Sequence, residues 1–164
     1  MENTRKKMSV GERYLSFVID NENYCIDILK VKELLGMTTI TPLPKTDNFI
    51  KGVINLRGQI IPIIDLRLKF GLEEIPYTKQ TGIIIVEVSF SGEGMLMGII
   101  VDRILEVINI TEDNISKISY LNARIKAEYI RGIANTEDGI KIILDVLKIL
   151  NSDELSLMRE TVAS

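Results

Sequence analysis

Leu15, Phe17 and Ile19 alternate with Tyr14, Ser16 and Val18, a period of two that predicts a β-strand. The turn-forming run Asp20-Asn21-Glu22-Asn23 follows, and Tyr24 to Ile28 reads as a second strand. Ile28, Val31 and Leu35 then fall on one side of a short helix closed by Gly36. Thr41-Pro42-Leu43-Pro44 is a non-helical loop, because each proline restricts the residue before it. Lys51 to Leu56 and Gln59 to Ile64 form a hairpin around Arg57-Gly58, with Gly58 free to take a positive φ. Pro62 cannot donate to a ladder, which puts its strand at an edge or a bulge. Asp65 caps a short helix, Leu66 to Phe70, stopped by Gly71. Ile83 to Phe90 and Met95 to Val101 pair around Ser91-Gly92-Glu93-Gly94, and Ser152, followed by Asp153 and Glu154, opens a C-terminal helix. Isoleucine occurs 28 times in 164 residues, in short clusters suited to a pleated surface. The expected chain is mostly β with a few short helices.

The pattern repeats. Sliding the chain by 80 residues aligns Phe49–Asp65 with Tyr129–Asp145 without a gap, and six of 17 positions are identical. The shared Gly52/Gly132, Asn55/Asn135 and Asp65/Asp145 carry the argument, because an isoleucine-rich composition does not place them. A shift of 73 aligns Ile26 with Ile99, Ile28 with Val101, Val31 with Ile104 and Glu33 with Glu106. Two copies of about five strands are each marginal alone, so they are expected to pack together and leave a groove at their seam. The division expected is a tail over residues 1–12, copies over about 13–80 and 81–151 with strand exchange allowed, and a C-terminal helix or tail over 152–164.

Charge and composition narrow the function. Twenty basic and 23 acidic residues give a net charge of −3, and the one basic cluster, Arg5-Lys6-Lys7, lies in the polar tail. Nucleic acid is therefore not an expected partner. With no histidine and one cysteine, His-dependent catalysis, His-ligated zinc and an intrachain disulfide are all excluded. No apolar stretch reaches the length of a membrane span or a signal peptide, so a cytoplasmic chain without membrane insertion is expected.

Candidate chemistry is sparse. Asp65, Asp102 and Asp145 each follow an apolar run, and a cap for the segment that follows explains all three better than acid–base work. Gly92-Glu93-Gly94 lacks the lysine of a phosphate loop and reads as a turn. Cys25 sits in a strand pattern with no partner base and reads as a buried thiol. No catalytic constellation emerges, and no cofactor or metal is expected. Arg57 stands apart, at a hairpin tip where its repeat-mate is Glu137.

The run from Phe49 to Arg67, with Gly52-Val53-Ile54-Asn55-Leu56-Arg57-Gly58 at its centre, resembles the signature of the chemotaxis coupling protein CheW family. Tyr24 to Glu33, Gly98-Ile99-Ile100-Val101-Asp102 and Tyr129-Ile130-Arg131-Gly132 match it elsewhere, so the resemblance runs from about Arg13 to Leu150. Without kinase motifs or a receiver domain, a free-standing member is expected. The resemblance implies two five-stranded SH3-like barrels around a shared core. It also implies a non-enzymatic adaptor, recruited to receptor arrays at the inner membrane face. Its partners would be the cytoplasmic tips of chemoreceptors and the regulatory domain of the histidine kinase CheA. By resemblance, Ile28, Val31, Val53, Val101 and Ile104 line the receptor groove, with Glu33 and Arg57 as polar contacts. The kinase contacts are not located. The alternatives are a scaffold for a non-chemotactic kinase pathway and, from another class, a small carboxylate-dependent enzyme.

Overall fold

The computed structural model describes residues 11–116 and 126–163; the expected tail therefore lies mostly outside the described residues. Strands β1 (Glu12–Ile19) and β2 (Glu22–Asp27) form a hairpin. Its turn residues Asp20 and Asn21 both take positive φ, 52° and 65°, the geometry that two-residue hairpin turns require. Next come β3 (Val31–Gly36), β4 (Ile50–Leu56), β5 (Gln59–Asp65) and helix α1 (Leu66–Lys69). The second half runs β6 (Gly82–Phe90), β7 (Glu93–Val101), β8 (Arg103–Ile110), β9 (Ile115–Ser116), β10 (Ile130–Thr136) and β11 (Gly139–Leu144). Helices α2 (Val146–Ile149) and α3 (Ser152–Ala163) complete it.

The strands make two sheets, ordered β8-β1-β2-β11-β10-β9 and β3-β6-β7-β5-β4. Each is a small barrel. Leu35 of β3 and Ile54 of β4, from opposite edges of the five-stranded sheet, meet in one cluster with Ile61, Ile63, Ile83 and Ile85. Ile110 of β8 and Ile115 of β9 do the same in the six-stranded sheet, with Tyr14, Cys25, Ala134 and Ile143. The repeat is visible in the pairing. Cys25 opposes Ile143 in parallel, and its 73-residue mate Gly98 opposes Ile63, the 80-residue mate of Ile143. Strands from the two halves are exchanged: the β1–β2 hairpin joins the second half's sheet, and β6–β7 joins the first half's.

A third cluster lies between the barrels and draws on both, with Leu15, Phe17 and Ile26 from one sheet and Ile84, Val86 and Ile99 from the other. The alternation along β1 sorts its side chains between two interiors: Leu15, Phe17 and Ile19 face the shared core, whereas Tyr14 faces its own barrel. Hence Tyr14 to Phe17 are all buried although the sequence alternates. Ser16 serves the bulge between β1 and β8. Its hydroxyl donates to the Glu106 carbonyl at 2.7 Å and accepts the Glu106 N–H at 3.2 Å.

Three local expectations change. Residues 28–36 hold a three-residue 3-10 turn, Ile28–Lys30, and then β3, not a helix. The spacing of Ile28, Val31 and Leu35 mimics a helix because a capped turn interrupts two strands, and β3 has the alternating exposure of a sheet edge. Second, β5 is not an edge strand, since it lies between β7 and β4, and the bulge is in the facing strand β4, between Ile50 and Gly52. Pro62 is accommodated because its strand mate Val53 spends both backbone groups on Thr41, each at 2.9 Å. The Val53–Pro62 pair thus needs no ladder bond, and β7 begins to pair only at Ile63. Third, Asp102 caps no helix, since β8 follows it directly. Asp65 and Asp145 are caps, accepting from the Leu68 N–H at 3.2 Å and the Leu147 N–H at 3.1 Å. Among the described residues no helix is long and apolar enough to cross a membrane.

Candidate functional site

Ile28 and Val31 are the 73-residue mates of Val101 and Ile104, and all four pack on the core shared by the barrels. Val101 is buried within it, while Ile28, Val31 and Ile104 lie half-buried against it. Asp27 holds the 3-10 turn that presents Ile28, accepting the Leu29 N–H at 2.9 Å. Ile104, on the six-stranded sheet, lies over the backbone of Gly82 on the other sheet, where a Cβ would collide with its side chain. The seam is therefore apolar and closely packed at its floor. Val53 does not join this group: it is not among the side chains packed on the shared core, and its backbone is committed to Thr41.

Beside this floor lies apolar surface that the sequence reading left out. Leu29 is 80% exposed, and Leu105 and Val107 on β8 are also exposed. Both β3 and β8 are edge strands with one neighbour each, and such edges invite pairing unless charges guard them. Here Lys32 pairs with Glu87 at 3.2 Å. Leu29 carried a usable signal, a leucine two residues after an aspartate able to cap a short turn.

Glu33 and Arg57, chosen separately as polar contacts, form a two-pronged ion pair: Nη1 donates to Oε2 at 3.2 Å and Nη2 to Oε1. Arg57 sits at φ 52° in the β4–β5 turn, with Gly58 at 85° and the Asn55 side chain accepting the Gly58 N–H at 2.8 Å. The pair joins the two edges of one sheet as it curls, so it braces a single barrel rather than the junction. The guanidinium beside Glu33 holds its carboxyl below the ordinary value, and Glu33 raises Arg57 in turn. Arg57 remains 70% exposed at its side chain, leaving an edge of the fork open to a partner.

The residue that does bind barrel to barrel was missed. Arg67 on α1 donates to Asp102 at 2.9 Å, to Asp20 at 3.2 Å and, through Nε, to the Glu73 carbonyl at 2.6 Å. Asp102 also accepts the Asp20 N–H at 2.8 Å, so the clasp holds the β1–β2 turn against the β7–β8 bend. Its mate 80 residues on is Leu147, half-exposed and apolar, and that break of symmetry was the available signal.

Chemistry has little to work with. Burial pushes the Cys25 thiol up to about 12, so no thiolate forms near neutral pH. Both oxygens of Asp65 are engaged, one by Leu68 and the other by the Tyr77 hydroxyl at 2.9 Å. The arrangement offers an apolar seam, guarded edges and an exposed cation, which are the parts of a binding surface.

Comparison with known proteins agrees. The family model described as a CheW-like domain matches residues 13–154. A chemotaxis protein CheW of Klebsiella aerogenes is 37% identical over 150 residues, covering 92% of this chain and 88% of that protein. One from Treponema pallidum is 32% identical, with 94% and 93% covered. The crystal structure of the scaffolding protein TtCheW from Thermoanaerobacter tengcongensis superposes with a TM-score of 0.77 at 36% identity, covering 88% of this chain and 97% of that one.

Proposed function

The chain belongs to the CheW-like domain family, and from that premise we propose that it is a chemotaxis scaffold linking chemoreceptor tips to the histidine kinase CheA. The observation that carries this reading is the seam where Ile28, Val31, Val101 and Ile104 converge on the shared core, flanked by exposed Leu29 and by the Glu33–Arg57 pair. A receptor's helical tip would lay an apolar stripe into that seam, with Arg57 contacting a carboxylate or carbonyl at its rim. Val53 has a weaker claim to this contact than its neighbours, because it stands apart from the seam. The kinase would bind elsewhere on the barrels. The adaptor does no chemistry in this scheme. It contributes geometry, and it transmits receptor state only through different affinities for the kinase's states.

Reconstitution tests the proposal. Purified chain, receptor cytoplasmic fragments and CheA should assemble into a ternary complex with faster kinase autophosphorylation than CheA alone. Assembly in the absence of this chain, or unchanged phosphorylation in its presence, overturns it.

A further inference from the structure

Helix α3 is held to the barrels at few points. Of its described side chains only Leu155 and Met158, one turn apart, are buried, and both join the shared core. The match to the CheW-like family model ends at residue 154, within the first turn of this helix. Glu154 is both its cap and its anchor. The carboxylate accepts the Asn151 N–H at 2.8 Å, and the Glu154 N–H donates to the Asn151 side chain at 2.8 Å, the reciprocal arrangement that starts a helix. The same carboxylate takes the Lys69 ammonium at 2.8 and 3.0 Å. That ammonium lies 4.5 and 5.9 Å from the ring centres of Phe49 and Tyr129, which are 80-residue repeat-mates. Twelve residues are too few to hold a helix alone in water, so capping and docking through Glu154 are one event.

The groove beneath α3 is larger than the helix fills. Arg159 pairs with Glu93 and lies over the Phe90 ring at 5.5 Å. Beside it a cavity of about 250 Å³ is lined by Ile60, Phe90, Met95 and Leu96. A helix fills a groove through side chains at i, i+3 and i+4. Here α3 supplies Leu155 and Met158 at the first two, and at the third a cation against an apolar wall. Lys69, nearly buried, requires a carboxylate from whichever helix lies there. Ile28, Val31, Val101 and Ile104 of the seam do not line this cavity. We propose that α3 is a displaceable strap over a second docking groove. Its partner is an amphipathic helix of another protein, with a carboxylate in the place of Glu154 and an apolar side chain in the place of Arg159.

Hydrogen exchange of the ¹⁵N-labelled full chain in sub-denaturing urea is the first test. The α3 amides should exchange through an opening that leaves β5, β6 and β7 protected; exchange only together with those strands overturns the strap. The second test weakens the strap in the full chain with Glu154→Gln, and Arg159→Gln serves if that variant does not fold. Blocked peptides of residues 150–164 are then added, and saturable shifts of the Phe90 and Met95 amides are expected. A peptide carrying Arg159→Leu should bind about fivefold more tightly than the native sequence, because apolar contact in the cavity outweighs an exposed ion pair. One carrying Glu154→Gln should bind about tenfold more weakly. One carrying Leu157→Ala should bind like the native peptide, since Leu157 faces outward. No saturable shift, no gain from Arg159→Leu, no loss from Glu154→Gln, or a loss from Leu157→Ala overturns the proposal.

Discussion

Arg57 grips Glu33 from across the curled sheet, hairpin tip to edge strand, although 24 residues separate them in the chain. A carboxylate held by a guanidinium gives up its charge only at lower pH. The folded value of Glu33 is depressed, so the pair's contribution is present above the unfolded carboxylate value and is lost as pH falls through the folded one. In a carbon-detected titration, Glu33 should ionise below the ordinary glutamate value, and Arg57→Ala should move its midpoint up. An unmoved midpoint in the variant would remove the pair from solution.

The same guanidinium is mostly exposed, and under the proposed function it would also contact a partner. Arg57→Ala should weaken receptor–kinase assembly about tenfold and lower receptor-stimulated phosphorylation, while Arg57→Lys recovers only part because an ammonium lacks the planar fork. Melting temperature and receptor affinity measured on one preparation separate this from a folding defect. A large thermal loss with affinity intact would mean that Arg57 serves the barrel alone.

Because β1 and β2 complete the second half's sheet and β6 and β7 complete the first half's, neither half of the chain contains a whole barrel. Cleaving the gene between Leu72 and Thr81 should yield two fragments without stable structure that regain native circular dichroism when mixed. In the intact chain, urea transitions followed by probes in the two sheets should coincide. Two separate transitions would show that the barrels are independent.

That exchange marks what the sequence could not say. Period-two patterning tells which face of a strand is buried, and the turns announce their hairpins through Asp20, Asn21 and Gly58, residues suited to positive φ. Patterning carries no information about which strand lies alongside, so a clean repeat at 80 residues does not reveal that hairpins are traded between copies. Glu33 and Arg57 were legible one at a time, as family positions, but their meeting depends on the curl of the sheet. Arg67 stands out against its mate Leu147, but its role was illegible for a similar reason: its partners Asp102 and Asp20 lie 35 and 47 residues away.

Arg67 is 12% exposed and satisfies two carboxylates. Arg67→Leu would remove the guanidinium that joins Asp20 to Asp102, a loss of about 1–3 kcal/mol. Adding Asp102→Asn removes one of the two like charges and keeps an acceptor for the Asp20 N–H, so the double variant should recover part of the loss. Denaturant melts of the three proteins provide the comparison, and additive losses would show that the clasp is not a unit.

The repeat-mates Gly52 and Gly132 give the sharpest test of how alike the two copies are. Each lies beside a bulge in its hairpin, opposite Ile63 and Ile143 respectively. Gly52 has φ 139°, and a Cβ there would drive into the Thr41 carbonyl, which is itself bonded to the Val53 N–H at 2.9 Å. Backbone cannot yield without breaking that bridge, and the φ is unfavourable to any L side chain. Gly132 has no positive φ, and a Cβ would meet the Ile115 Cγ2 at 2.9 Å, a side-chain methyl that can rotate away. Gly52→Ala should therefore cost about 3 kcal/mol, and Gly132→Ala about 1 kcal/mol, measured by urea unfolding. The asymmetry has a physical source: Thr41 pairs with β4 by backbone directly over Gly52, whereas the nearest atom above Gly132 belongs to a side chain. Equal losses at both positions would mean that the identical glycines answer one shared backbone requirement, and that the close approach of Thr41 contributes nothing beyond it.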